Sequence, residues 1–410
     1  MLASLTRLKY ACYTTSITMS VVGNLSPVLF LTFRELYGIS YSLLGLLVLI
    51  NFVTQLTVDL IFSFFSHKFN IGLTVKLTPA LSMVGLCVYA LCPFAFPENV
   101  YAGLVVGTVI FSAAAGLAEV LISPVIAALP AEDPDREMSK LHSVYAWGVV
   151  FVIIISTLFL LVLGEQNWQW LALLFALIPL VSCLLFLGAD IPPMETPQRT
   201  GGAVTFLRKK GLWLCVTAIF LGGAAECTMA QWSSGYLEQA LGVPKVWGDI
   251  FGVAMFAAML GLGRSLYAKF GKNLGRVLFF SAIGAVVCYL AAALCGLPII
   301  GLLACAFTGF CTAMLWPGTL VVATDRFPQG GVFIYAIMAA GGDLGASVGP
   351  QLVGIITDAA AQNPAAVSLA ATLSLAPEQL GMKAGMLVGM LFPLLAIPVY
   401  FIIRKQRKEP

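Results

Sequence analysis

Apolar runs recur from one end of the chain to the other, and each of about 20 residues is long enough to cross a hydrocarbon core roughly 30 Å thick. They predict helices near 10–33, 40–64, 74–94, 100–129, 141–163, 167–188, 211–235, 246–268, 276–295, 297–324, 331–358 and 382–403. Most connections are short, so consecutive helices are expected to pack as antiparallel neighbours. Two are longer: 189–210 is rich in Pro, Gly and basic residues, and 359–381 is polar and alanine-rich. The first falls at mid-chain and divides the sequence into an N-terminal six-helix bundle, 1–188, a cytoplasmic linker, 189–210, and a C-terminal six-helix bundle, 211–410. The expected fold is an all-α polytopic membrane protein of twelve transmembrane helices in two pseudo-symmetric six-helix bundles.

Composition agrees with that pattern: 60% of residues are hydrophobic, only 10% are charged, and the mean hydropathy is +0.96. Soluble domains carry about 25% charged residues. The net charge of +3 gives no reason to expect nucleic acid. Its distribution says more. If both termini share one side, only Arg34, Lys245 and Lys383 of the 22 basic residues fall on the other. Basic residues concentrate in cytoplasmic loops, so both termini are expected in the cytoplasm, with an even number of spans. The opening stretch has no small-residue cleavage site and reads as a retained first helix. Asn167-Trp168-Gln169-Trp170 and Trp247 look like interfacial anchors on the far face. The ten cysteines all lie in apolar segments without a C-x-x-C pair or metal-ligand spacing, which is expected of packing residues; no metal is expected.

A faint internal repeat supports the division. KFNIGLTVKL at 68–77 and KFGKNLGRVL at 269–278 align at an offset of 201, the kind of trace two fused bundles leave.

An ionisable group at bilayer depth costs at least about 2.5–3.5 kcal/mol, so each one calls for an explanation. Four acids fall inside predicted spans: Asp59, Glu119, Glu226 and Asp343. From the helical rise, Glu119 lies roughly 14 Å from the cytoplasmic end of its helix, Glu226 about 22 Å in, Asp343 about 18 Å in and Asp59 about 8 Å in. No Lys or Arg is expected at midplane depth, so these acids should lack a permanent cation partner. Such a carboxyl either stays protonated or waits for a cation, and both options suit cation-coupled transport. Asn24, Asn51, Gln55, Gln231, Trp232 and Trp316 add amide hydrogen-bonding groups and flat faces that suit a hydroxylated ring. Each residue taken alone also fits a bond to a neighbouring helix. His142 opens the predicted fifth helix and is able to titrate near neutral pH. Pro124, Trp316-Pro317 and GGDLGASVGPQLVG at 341–354 allow close packing and local unwinding. No nucleotide loop, zinc motif or serine elbow occurs, so no enzyme is expected.

GRSLYAKFGK, with Gly263, Arg264 and Lys269, resembles the short cytoplasmic loop motif of the major facilitator superfamily. AAAGLAEVLISPVIAALPAEDPDREMSKLHSVYAWG, from 113 to 148, is similar to the corresponding stretch of the fucose–proton symporter family within it. The shared features are Gly116, Leu117, Glu119, Pro124, Leu141 and His142. The resemblance extends to WSSGYLEQALG near 232–242 and ITDAA at 356–360. It implies the major facilitator fold, a bacterial inner (plasma) membrane, a proton-coupling and sugar-site role for Glu119, and no cofactor beyond a coupling proton or sodium ion. NLSPVLFLTF departs from that family, with Pro27 where the relatives bear an aspartate. Either Glu226 or Asp343 then takes over proton handling, or Asp59 and Glu119 form a sodium site as in other sugar symporters of the superfamily. The expectation is a monomeric cation-coupled symporter of a small polar solute, a sugar, that rocks its halves around a midplane site. A proton-driven exporter of amphipathic compounds is the first alternative, and a non-transporting receptor the second.

Overall fold

The computed structural model describes residues 2–39, 41–194, 200–244 and 247–406. It is all-helical among them. Eleven of the helices are long and apolar enough to cross a membrane, and α1, Leu2–Val28, joins them as the twelfth long element. Helix α1 is more polar because it carries Thr14, Thr15, Ser16, Thr18, Ser20, Asn24 and Ser26. Much of that polarity faces protein. Thr15 Oγ1 meets Ser182 Oγ at 2.6 Å, Ser20 Oγ donates to Tyr145 O at 2.7 Å, and Ser26 Oγ meets Tyr89 Oη at 2.8 Å. Hydroxyls are standard ties between membrane helices, where apolar contact with a neighbour gains little over contact with lipid.

The chain divides into two compact units: Met1–Arg208 with Phe327–Ala340, and Lys209–Arg326 with Gly341–Pro410. The first holds α1, α2 (Phe30–Tyr37), α3 (Tyr41–Phe65), α4 (Ile71–Ala95), α5 (Val100–Ala127), α6 (Pro134–Leu163), α7 (Trp168–Phe186) and α8 (Thr200–Leu207). Glycine sets the α4–α5 approach: a Cβ at Gly85 would collide with the Phe111 backbone, and one at Gly107 with the Tyr89 backbone. Phe33, Tyr89, Phe111 and Trp168 fill the core beside this seam. Trp168 is completely buried there, donating Nε1 to Tyr37 Oη at 3.0 Å. It is a core residue and not the expected interfacial anchor, whereas its neighbour Trp170 is exposed. Within this unit Phe333 stacks on Phe206 of α8 and meets Phe64 of α3 edge-on.

The second unit holds α9 (Lys210–Leu241), α10 (Met255–Phe270), α11 (Leu274–Leu294), α12 (Pro298–Thr312), α13 (Leu315–Arg326), α15 (Pro364–Thr372) and α16 (Pro377–Gln406). Helix α14, Val332–Gln362, begins in the first unit and passes into the second at Gly341. A π-helical stretch, Gly248–Ala254, leads into α10. Tyr289 donates to Ala225 O at 2.8 Å, and Tyr400 Oη reaches both Thr319 Oγ1 (2.9 Å) and Ala218 O (3.1 Å). Lys383 covers the carbonyls of Ala293 and Cys295 at the end of α11, at 3.1 Å each, a favourable place for a cation.

Several boundaries differ from the expectation. The fifth long helix starts at Pro134, with Asp133 capping the Arg136 amide, so His142 lies in its third turn and does not open it. The span expected at 297–324 is present over Pro298–Arg326, with an interruption at 313–314 between α12 and α13. The connection 359–381 contains a helix of its own, started by Asn363 and Pro364.

Candidate functional site

In the first unit the candidate residues lie along the α3–α5 seam. Asn51, Gln55 and Asp59 are spaced four apart, so they share one face of α3. Asn51 Oδ1 accepts from Gln55 Nε2 at 3.0 Å and also from Ser112 Oγ of α5. One turn on, a Cβ at Gly116 would lie 3.2 Å from the backbone of Gln55 and 3.0 Å from Val58 Cβ. The pairing of 51 with 112 and 55 with 116 means the two helices run parallel and in register. Continued for another turn, that register brings Asp59 level with Glu119 and Val120. Asp59 is fully buried, while Glu119 is half-buried about 12 Å from the end of α5. Asn24 donates to Ser20 O in its own helix at 2.9 Å. His142 is half-buried on α6. The unit thus places Asn51, Gln55, Asp59 and Glu119 along one seam.

The second unit is built around a charge. Glu226 of α9 accepts from Arg264 Nη2 of α10 through both carboxylate oxygens, each at 3.1 Å. The Arg264 side chain is 3% exposed and that of Glu226 12%. The expectation that the midplane acids would lack a permanent cation partner is therefore wrong for Glu226. Its partner comes from the motif expected to lie in a cytoplasmic loop. Gly263, Arg264 and Lys269 all fall within α10, because nothing breaks that helix before Gly271 and the left-handed Asn273. Arginine's long stem lets a backbone near the helix end deliver its guanidinium deeper. Lys269, by contrast, is exposed beside the Phe270 ring.

Arg264 does a second thing: its Nε donates to Ala313 O at 2.9 Å, at the break between α12 and α13. Gly263 permits this, since a Cβ there would lie 2.6 Å from Ala313 Cβ. Just past the break, the Trp316 ring occupies the space that side chains at Gly223 and Gly342 would need. Asp343, the neighbour of Gly342, is buried. Trp232 Nε1 donates to Pro350 O of α14 at 2.9 Å, and its ring covers Gly354. Gln231 is exposed and takes no part in that tie. Glu226, Trp316 and Asp343 are thus connected through α9, α13 and α14, with Trp232 one tie further along. Sequence reasoning missed the roles of Ser112, Ala313 and Arg264. The Ala313–Pro317 spacing was the one readable signal. Among the described residues no group of three or more His, Cys, Asp or Glu side chains is placed to hold a metal.

Acids lie on apolar helices in each unit, at Asp59 and Glu119 in the first and at Glu226 and Asp343 in the second. The sequence matches the Major Facilitator Superfamily over residues 11–350, and the chain belongs to that superfamily. It is an integral membrane secondary transporter, not an enzyme. No curated protein matches the sequence. Among solved structures, the fold is similar to a major facilitator transporter, FucP, in the outward conformation, with a TM-score of 0.71 at 16% identity, covering 99% of this chain and 100% of that one. It is similar to a variant of the E. coli fucose:proton symporter FucP, with a TM-score of 0.72 at 14% identity and 98% coverage of both chains. The proton:xylose symporter XylE bound to 6-bromo-6-deoxy-D-glucose gives 0.71 at 14%, covering 96% of this chain and 95% of that one. At these identities the likeness shows the fold.

Proposed function

We propose that this chain is a cation-coupled symporter of a small polar solute of the sugar class, working by alternating access. What supports the reading most is the α3–α5 seam, where the amide pair Asn51–Gln55 leads along one register to the level of Asp59 and Glu119. Amides and hydroxyls suit a polyhydroxylated solute, and two carboxyls at one level suit a proton or a sodium ion. Glu119, Asp343, Trp316, Gln231, Trp232, Asn24 and His142 are proposed to face solute or coupling ion, with Glu226 tuned by its arginine. The proposed arrangement is a monomer with halves 1–188 and 211–410 joined by 189–210, in a bacterial inner membrane with both termini cytoplasmic. The solved likenesses carry names of proton–sugar symporters, which agrees with this substrate class.

The test is uptake of a labelled monosaccharide panel into proteoliposomes, with proton and sodium gradients imposed separately. Accumulation of one sugar under one gradient is expected, and Glu119→Gln should abolish accumulation while leaving the protein folded. Full accumulation by that variant removes Glu119 from the coupling role. No uptake across the panel, by protein shown to be folded, moves the assignment to an exporter of amphipathic compounds.

A further inference from the structure

Proline at 317 has no N–H, so the carbonyl four residues earlier, Ala313 O, is denied its helical donor. The helix breaks there: α12 ends at Thr312 and α13 begins at Leu315. A backbone carbonyl in a membrane interior needs a substitute donor. Arg264 Nε supplies it from α10 at 2.9 Å, while Nη2 of the same guanidinium bonds both oxygens of Glu226 on α9. Gly263 lets α10 come close enough for this. Trp316, adjacent to Pro317, is seated on Gly223 of α9 and Gly342 of α14.

We propose that Arg264 is a positioning residue: it covers the carbonyl that Pro317 exposes, fixes the α12–α13 break against Glu226, and thereby sets where Trp316 lies. The structural part stands on the geometry alone; its consequence for solute rests on the transport reading. One planar group with donors at two ends does both tasks at once, so lysine is not an equivalent replacement. The proposal also makes residues 264 and 317 interdependent. Alanine at 317 restores an N–H, which then covers Ala313 O from within the helix and makes the Arg264 Nε bond dispensable.

The deciding experiment is hydrogen–deuterium exchange by mass spectrometry on the full chain in lipid nanodiscs. It compares the wild type, Arg264→Lys, Pro317→Ala and the double variant. Arg264→Lys should speed exchange of the 313–320 peptide by about tenfold through local opening. In the Pro317→Ala background the same substitution should change it by less than about twofold. Equal acceleration in both backgrounds, or none in either, overturns the proposal. If Arg264→Lys fails to fold, recovery of folded protein in the double variant supports the proposal, and failure of both overturns it. A transport arm uses the sugar identified by the panel. The maximal rate should fall in Arg264→Lys and recover in the double variant, and an unchanged rate overturns the functional part. Should no sugar be transported, the exchange result still decides the structural part, so the two readings fail separately.

Discussion

Both units contain neutral ties between helices, and the second also holds the buried Arg264–Glu226 pair. Along the α3–α5 seam of the first, Asn51 accepts neutral bonds from Gln55 and Ser112, and α1 contributes hydroxyl ties to Ser182, Tyr145 and Tyr89. In the second, a buried arginine joins a carboxylate to a backbone carbonyl that lacks its helical donor. Neutral bonds between membrane helices average about 0.6 kcal/mol and reach about 1.7 kcal/mol, because the separated helices find other partners. Removing one member of a buried ion pair costs about 3–5 kcal/mol, since the other charge is stranded. The first unit should therefore tolerate loss of a single tie, and the second should not tolerate loss of its arginine.

The largest expected effect is that of Arg264→Ala, which leaves Glu226 and Ala313 O without the bonds described and should cost about 3–5 kcal/mol. Thermal unfolding in detergent, read by near-UV circular dichroism, measures it. A double change, Glu226→Gln with Arg264→Gln, should be milder than Arg264→Ala alone, because no charge is stranded. If the double variant is the worse of the two, the pair acts by shape and not by charge.

Next comes Gly345→Val, whose Cβ would collide with the Phe220 carbonyl of α9. Backbone cannot rotate away, so a loss of about 1–3 kcal/mol is expected. Its counterpart in the first unit, Gly107→Val against the Tyr89 backbone, should cost a similar amount. A clear inequality in the two melting shifts would mean that the units also differ in how closely their helices pack.

The smallest effect is assigned to Asn51→Leu. It removes the shared acceptor of Gln55 and Ser112 and should cost about 0.6–1.7 kcal/mol. A loss as large as that of Arg264→Ala would abolish the contrast between the units. Solute affinity should nevertheless weaken in this variant, so stability and uptake measured on the same preparation separate its packing role from a binding role.

Much of the fold was legible because a membrane span leaves so few choices. Backbone groups in lipid must be satisfied within the segment, so a long apolar run reads directly as a helix. What misled the reading were local signals at helix ends. Asp133 and Pro134 start α6 ahead of its apolar stretch, so His142 was placed at a helix opening it does not occupy. The motif around Gly263 resembles a cytoplasmic loop motif, yet the predicted helix 246–268 already holds Gly263 and Arg264, and no helix breaker occurs before Gly271. Trp168 and Trp170 share one sequence context, and only packing against Phe33 and Tyr89 separates the buried ring from the exposed one.

The sequence by itself determined the number of long helices, the apolar character of their surfaces and the presence of acids within them. These follow from hydropathy and helical rise, which are properties of one segment at a time. Only the tertiary structure decided that Glu226 has an arginine partner. Arg264 and Glu226 are 38 residues apart and lie on different helices, and the side-chain reach that joins them is invisible to any count along the chain. The same holds for Ala313: the proline four residues later announces a carbonyl without its helical donor, but the donor that covers it comes from another helix through space.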